Sequence, residues 1–418
     1  MVMSKFVVEG GTRLSGTVRT LGAKNAVLKE IVSTLLAPGR HHLTNVPDIL
    51  DVELMISVLR HTGCHVEHGS NELWIVVPEE PKPEAPIELV RQMRASIVVL
   101  GPLLARCGEA RVALPGGDDL GARPIEWHMH GLEQMGASFD LVHGELVAHV
   151  DGRLKGTEVE LPFPSVGATE NLLFAGVLAE GETVIVNAAR EPEIQDLIKQ
   201  LNAMGARIEG GGESLVTIRG VDRLQPVDHA VVPDRLEAGT YGIAAAITGG
   251  DVTVTGCRPE HLRMELTKLE ATGCEVERGD GWLRVIGPER PQPIDFATLP
   301  YPGFHTDMQP QMVALLSLAT GTSVITENLY DARYRYVGEL ARMGADISIE
   351  AQHAIIRGVE RLSGCPVLAP DIRAGAALVL AGLAADGVTE ISDASHVDRG
   401  YEDLVGRLAG LGARIERC

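Results

Sequence analysis

The sequence is poor in aromatic residues. Phe, Trp and Tyr make up 4 % of 418 residues, so the core has to be built from Leu, Val, Ile and Ala. Cysteine is also sparse. The six cysteines (Cys64, Cys107, Cys257, Cys274, Cys365 and Cys418) are scattered with no Cys-x-x-Cys pair, which argues against a disulfide framework and for reduced thiols. No apolar stretch approaches the roughly 18 residues of a membrane span; the run 97–105 is broken by Gly101-Pro102. Met1-Val2-Met3-Ser4-Lys5 runs straight into strand-like Phe6-Val7-Val8, without the apolar core of a signal peptide. A cytoplasmic protein with no membrane partner is expected. Positive charge is in deficit: 37 Lys and Arg against 57 Asp and Glu give a formal net charge of −20. That balance argues against a nucleic-acid binder. It also requires any anionic ligand to be captured by a local basic cluster.

What is abundant is repetition. A phrase Leu-x-x-x-Gly-small-x-apolar occurs six times, with glycines at Gly63, Gly136, Gly205, Gly273, Gly344 and Gly412. Their successive spacings are 73, 69, 68, 71 and 68 residues. Each phrase predicts a helix end, a left-handed glycine cap and a strand two residues later. A second glycine marks the start of an alternating strand in every unit, at Gly39, Gly108, Gly181, Gly250, Gly321 and Gly387. An apolar helix precedes each of these, for example over 26–36, 95–105, 171–178 and 374–384. Such helices have almost no polar face and have to be enclosed. Six units of about 70 residues are too long for common solenoids. The expectation is an α/β protein with two inside-out halves of three repeats each, helices inside and sheets outside. The halves are expected at 1–22 with 233–418, and at 23–232. The N-terminal strands are assigned to the far half because the closing unit otherwise lacks them.

Aligning the six units puts unusual polar residues at two places. One is the start of each inner helix, at Gly22-Ala23-Lys24-Asn25, Met93-Arg94, Ser165-Val166-Gly167, Asp234-Arg235, His305-Thr306-Asp307 and Asp371-Ile372-Arg373. The other is the loop after the glycine-initiated strand, with Asp118, Arg123, Arg190, Arg258, Arg333 and Arg399. Helix N-termini offer backbone N–H groups to phosphate and carboxylate. Lys24, Arg94, Arg123, Arg333, Arg373 and Arg399 at or near them predict a receptor for a ligand with several negative charges. The loop Leu114-Pro115-Gly116-Gly117-Asp118-Asp119-Leu120-Gly121-Ala122-Arg123-Pro124 is the most pointed of these. Its glycines permit backbone angles closed to other residues, so it can act as a lid. Asp118 and Arg123 set a candidate proton carrier close to an anion-binding fork.

Other patterns are weaker. His61, Cys64, His65 and His68 straddle one helix–glycine–strand junction that the other five units build without them, and no carboxylate or cysteine pattern completes a site around His128 and His130. Gly116-Gly117-Asp118-Asp119-Leu120-Gly121 does not follow a strand–GxGxxG–helix order, and there is no Walker lysine. No metal and no cofactor are expected.

Taken together, Gly22-Ala23-Lys24-Asn25-Ala26, Leu114-Pro115-Gly116-Gly117, Gly121-Ala122-Arg123-Pro124, Ser165-Val166-Gly167-Ala168-Thr169, Asn187-Ala188-Ala189-Arg190-Glu191-Pro192-Glu193, Thr306-Asp307-Met308-Gln309 and His396-Val397-Asp398-Arg399-Gly400-Tyr401-Glu402 resemble the enolpyruvyl transferases. Within them the likeness is to the branch acting on UDP-N-acetylglucosamine, and it runs end to end. The resemblance implies transfer of the enolpyruvyl group of phosphoenolpyruvate to the 3′-hydroxyl of UDP-N-acetylglucosamine in peptidoglycan synthesis. It implies that Lys24, Arg123 and Arg399 hold phosphoenolpyruvate, with Arg333 and Arg373 nearby. Asn25, Arg94, Arg123, Pro124, Ile125, Glu126, Trp127, Ser165, Val166, Gly167 and the backbone around Leu329 would hold the nucleotide sugar. Asp307 would bind the sugar hydroxyl and act as its base. Asp118 stands where the family usually has cysteine, and a carboxylic acid can replace the thiol as proton donor if burial or charge keeps it protonated. Insensitivity to fosfomycin, which alkylates the thiol, is therefore expected. Phe163 stands where some members have lysine. The sister branch acting on shikimate 3-phosphate carries Gly-Ser-Lys-Ser where this chain has Gly22-Ala23-Lys24-Asn25, and a non-catalytic nucleotide-sugar sensor would not need Lys24, Asp118, Arg123, Asp307 and Arg399 together.

Overall fold

The computed structural model describes residues 4–114, 116, 121 and 124–418. They fall into two compact units, one drawn from 1–21, 119–123 and 233–418, the other from 22–118 and 124–232. Asp118, Asp119 and Arg123 lie outside the described residues.

The six glycines of the repeat phrase all take positive φ, between 94° and 103°. Only glycine enters that region at little cost, so the helix C-termini are fixed locally. The strand follows two residues later in five units, for example His65–Gly69 after Gly63; in the second unit Ala137–Val142 follows Gly136 directly. The second set of glycines is less uniform. Gly39, Gly108, Gly181 and Gly387 have positive φ, whereas Gly250 and Gly321 do not.

Among the described residues the strands make six four-stranded sheets, three per unit. Each has the same plan. In one, Glu84–Ala85 runs parallel to Glu109–Ala113, which pairs antiparallel with Glu145–Val150, which pairs antiparallel with Ala137–Val142. Chain closure explains the odd strands. Asp228–Ala230, after the third repeat, pairs parallel with Gly39–Thr44 of the first and closes one unit. Phe6–Glu9 sits between Val388–Ser392 and Arg414–Arg417 as the strand the sixth repeat lacks. Ser15–Arg19 pairs parallel with Asp251–Thr255.

The inner helices are buried almost end to end. Arg235–Thr248 is buried from Arg235 to Ile247, and Ile372–Ala384 from Ile372 to Leu383. Small residues make the close packing possible. A Cβ on Gly101 would fall 2.7 Å from Asn171 O, so the Leu100–Cys107 and Val166–Gly176 helices could not approach as they do. The second inner helix is shorter than its apolar run suggests, since Arg94–Val99 is 3-10 and the α-helix begins only at Leu100. Pro102 has no N–H to donate to the preceding turn, so it fits only in the first turn of an α-helix.

Candidate active site

In the unit 22–118 and 124–232, the polar residues at helix starts are held by buried charge. Lys24 opens the helix Lys24–Ser33 after extended Ala23, which provides no side-chain cap. Its Nζ lies 3.0 Å from Oδ2 of fully buried Asp51. Lys29, one turn on, donates to Asn25 O at 2.8 Å and faces Glu170 Oε1 at 3.4 Å. Burial pushes the Glu170 carboxyl up to about 7, with Lys29 opposing and Glu191 and Glu193 adding to the rise. The start of this helix is thereby tied to the helix Val166–Gly176.

Ser165 caps that second helix, its Oγ accepting from Ala168 N at 3.4 Å. Gly167 lies against His128, where a Cβ would come 2.9 Å from the ring. The tautomer of His128 follows from its neighbour. Asn171 Oδ1 accepts from Gly101 N at 2.8 Å, so its amide nitrogen faces His128 Nδ1 at 2.8 Å and must donate to it. The proton of neutral His128 is then on Nε2. Burial, with Arg94 adding, pushes this imidazole down to about 4. Arg94 itself opens the 3-10 turn Arg94–Val99. Ile125 precedes the helix Glu126–Gln134, whose first turn carries Glu126 and Trp127. The Trp127 ring stacks on Phe163 at 5.8 Å between centroids. A cavity of about 410 Å³ lies between this helix and strand Glu158–Glu160, walled by Trp127, Met129, Leu161 and Pro162. Gly116 does not have positive φ, contrary to the expected reason for a glycine there. Its need is space, because a Cβ would sit 1.9 Å from Arg91 O.

In the other unit the structure brings Asp307, Arg333 and Arg373 together. Asp307 lies in the 3-10 turn Thr306–Met308 ahead of the helix Gln309–Leu316. Its Oδ1 accepts from Arg333 Nη2 at 3.0 Å and its Oδ2 from Arg373 Nε at 3.3 Å. Arg333 also donates twice to Thr306 O. Both guanidiniums are buried. Burial works against their charge, but Asp307 with Asp371 and Glu327 around Arg333, and Tyr401 with Asp307 and Asp234 around Arg373, outweigh it and hold both above their ordinary values. The Arg373 guanidinium lies 5.2 Å from the Tyr401 ring centroid, and the Tyr401 hydroxyl is 2.9 Å from Thr240 Oγ1.

The expectation of open helix N-termini holds unevenly. Asp234 Oδ1 accepts from Leu236 N and Glu237 N, and Asp371 Oδ1 from Arg373 N and Ala374 N. These carboxylates already occupy the sites an anion would take, so in this unit the side chains of Arg333 and Arg373 present the positive charge. Arg399 is not at a helix start either; it follows the short helix Ser395–Asp398. Sequence reasoning missed Glu327. This buried carboxylate accepts from Thr298 Oγ1, Thr306 Oγ1, Leu329 N and Tyr330 N, all within 3.2 Å, and so fixes the Leu329 backbone. The one local signal was an acid directly after the alternating strand Thr322–Thr326. The histidines of the first unit do not share a centre: His61 faces Glu84, His65 faces Glu67, and His68 faces Glu53.

Residues 8–408 match the family described as EPSP synthase (3-phosphoshikimate 1-carboxyvinyltransferase). The chain belongs to this family of enolpyruvyl transferases. Among its members it is 54 % identical over 412 residues to the UDP-N-acetylglucosamine 1-carboxyvinyltransferase of Corynebacterium jeikeium (strain K411), covering 99 % of this chain and 98 % of that protein. It is 55 % identical over 413 residues to the enzyme of the same name from Mycolicibacterium paratuberculosis (strain ATCC BAA-968 / K-10), covering 99 % of each. The solved enolpyruvyl transferase NikO from Streptomyces tendae superposes with a TM-score of 0.91 at 25 % identity, covering 99 % of each chain. The EPSP synthase of Acinetobacter baumannii shares the fold at a TM-score of 0.77 and 21 % identity, covering 100 % of each chain. The inside-out arrangement of repeats is thus the enolpyruvyl transferase fold. No described helix is long and apolar enough to cross a membrane.

Proposed function

We propose that this enolpyruvyl transferase moves the enolpyruvyl group of phosphoenolpyruvate to the 3′-hydroxyl of UDP-N-acetylglucosamine, releasing phosphate, in the cytoplasmic synthesis of peptidoglycan. The observation that carries the reading is the end-to-end identity of 54–55 % with relatives named for that reaction. The Gly22-Ala23-Lys24-Asn25 sequence supports the same branch.

In this reading an acid protonates the vinyl carbon of phosphoenolpyruvate, and positive charge builds at the neighbouring carbon. The sugar hydroxyl attacks that carbon as its proton passes to a base, giving a tetrahedral adduct. Loss of a methyl proton and departure of phosphate then restore the double bond. Asp118 is assigned as the acid. Asp307 is assigned to the sugar hydroxyl: both its oxygens are held by guanidiniums, which aims the carboxylate at the hydroxyl whose proton it takes in the transition state. Lys24, Arg123, Arg399, Arg333 and Arg373 are assigned to the phosphate and carboxylate, whose charge they stabilise through both steps. Asn25, Arg94, Arg123, Pro124, Ile125, Glu126, Trp127, Ser165, Val166, Gly167 and Leu329 are assigned to the nucleotide sugar. With Asp118 in place of a thiol, the enzyme is insensitive to fosfomycin.

The test is phosphate release from phosphoenolpyruvate, in EDTA, with either UDP-N-acetylglucosamine or shikimate 3-phosphate as acceptor. Release with the nucleotide sugar alone is expected. Release with shikimate 3-phosphate alone would transfer the chain to the sister branch, and release with neither would leave a nucleotide-sugar binder.

A further inference from the structure

Three residues far apart in sequence meet inside the unit 22–118 and 124–232. Glu30 comes from the inner helix Lys24–Ser33, Asp196 from the helix Pro192–Ala203, and His229 from the closing strand Asp228–Ala230. One donor atom from each lies within 4.8 Å of the other two. Glu30 is fully buried, Asp196 nearly so, and the His229 side chain is 12 % exposed. None of the three belongs to the machinery assigned above.

As an ion triad the set balances its charge but leaves Glu30 short of hydrogen bonds. His229 Nε2 is 3.3 Å from Asp196 Oδ2 and 3.6 Å from Glu30 Oε1. A single N–H points at one acceptor, and Asp196 Oδ2 also takes the Val232 N–H at 2.7 Å. Neither oxygen of Glu30 has a hydrogen bond: Oε1 has only the longer ion pair to His229, and burial with Asp196 beside it pushes the carboxyl up to about 8. Leaving a buried carboxylate in that state is costly. The spacing has another reading. A four-coordinate ion with bonds of about 2.0–2.1 Å has ligand–ligand edges of about 3.3–3.4 Å, close to the two distances seen. Without a cation, burial holds Glu30 up at about 8 and, against burial, the two acids hold His229 up at about 9. A divalent cation would displace one proton from each, and two carboxylates, a neutral imidazole and the ion then sum to zero.

We propose that Glu30, Asp196 and His229 form a structural site for a divalent first-row cation of the zinc class, bound through Glu30 Oε1, Asp196 Oδ2 and His229 Nε2 with a water as fourth ligand. Imidazole with two carboxylates is a donor set such cations accept. The ion would join the first inner helix, the last helix of the unit and the strand that closes it. It takes no part in the reaction, so its failure would leave the proposed function standing.

The test uses the whole chain, stripped with EDTA, dialysed and titrated with cobalt(II) chloride. One equivalent should bind with the visible absorption of a four-coordinate cobalt centre, should be displaced by zinc chloride, and should raise the melting temperature as free metal increases. Glu30→Gln and His229→Gln should each lose both the absorption and the melting shift. Glu30→Met, which suits the buried position, serves if Glu30→Gln does not fold. His68→Gln removes the exposed set of Asp48, Glu53 and His68 and should change nothing. No cobalt absorption in folded wild-type protein would overturn the proposal, as would binding that survives both ligand substitutions.

Discussion

Arg333 is buried to 1 % exposure, yet it donates from Nη2 to Oδ1 of Asp307, which remains 20 % exposed. The charge of the arginine is fixed from inside while the carboxylate keeps an edge toward solvent. Arg373 holds the other oxygen. Asp307→Asn keeps the shape but removes the negative charge and the proton acceptor. It should lower kcat by about 10²–10⁴ in the phosphate-release assay. Asp307→Ala should also destabilise the chain by about 3 kcal/mol, because two buried guanidiniums each lose their bonded carboxylate. Turnover within tenfold of wild type for Asp307→Asn would remove Asp307 from the reaction.

His128 provides a pH prediction. Its imidazole is neutral in the fold and has been pushed down to about 4, whereas the unfolded chain takes up a proton near pH 6.5. The unfolded state therefore binds more protons as pH falls, and stability drops. The contribution is complete above pH 6.5 and is lost progressively toward pH 4, reaching about 3 kcal/mol. Protonation would also place a donor on Nδ1 opposite the Asn171 amide, which already donates there. Denaturant melts of wild type and His128→Gln between pH 7 and pH 4.5 should show a shallower acid loss in the variant. Parallel losses would mean that His128 does not titrate in this way.

Much of the fold was legible because its strongest signals are local. A helix C-terminus that needs positive φ selects glycine by itself, so Gly63 and its five counterparts mark the repeat without reference to tertiary structure. Enclosed helices likewise announce themselves by having no polar face, as in Ile372–Ala384. The site was read less completely because its controls act across long separations. Nothing near Asp234 or Asp371 tells whether an aspartate at a helix start caps that helix or leaves it open to an anion; both cap. Glu327 gains meaning only from Thr298 and Thr306, and the His128 tautomer only from Asn171 and Gly101. Those pairings depend on how helices pack, and periodicity does not encode it.

Gly116 tests whether the start of the 114–124 segment matters to turnover. Its backbone approaches Arg91 so closely that a Cβ would lie 1.9 Å from the carbonyl oxygen and 2.8 Å from the carbonyl carbon. Both are backbone atoms, so no side-chain rotation relieves the clash. Gly116→Ala should push the base of the loop off the segment that carries Arg91. The expected result is a clear fall in kcat, with the melting temperature and affinity for UDP-N-acetylglucosamine close to wild type, because the inner helices are untouched. Unchanged kcat would show that the position of this loop base does not matter to turnover.

Asp118 carries the sharpest chemical prediction. If its carboxylic acid delivers the proton to the vinyl carbon, Asp118→Asn keeps size and polarity but has no acidic proton to give. Turnover should fall by about 10²–10⁴, while UDP-N-acetylglucosamine still binds, since the residues assigned to it lie elsewhere. Asp118→Cys should retain a proton donor and turn over measurably. The two active forms should then part under fosfomycin. The wild-type carboxylate is a poor nucleophile toward the epoxide and should keep its activity, whereas the thiol of Asp118→Cys should be alkylated with stoichiometric loss of turnover and a matching mass increase. Rapid stoichiometric inactivation of the wild-type enzyme would refute the insensitivity. Full activity of Asp118→Asn would move the proton donor to another residue.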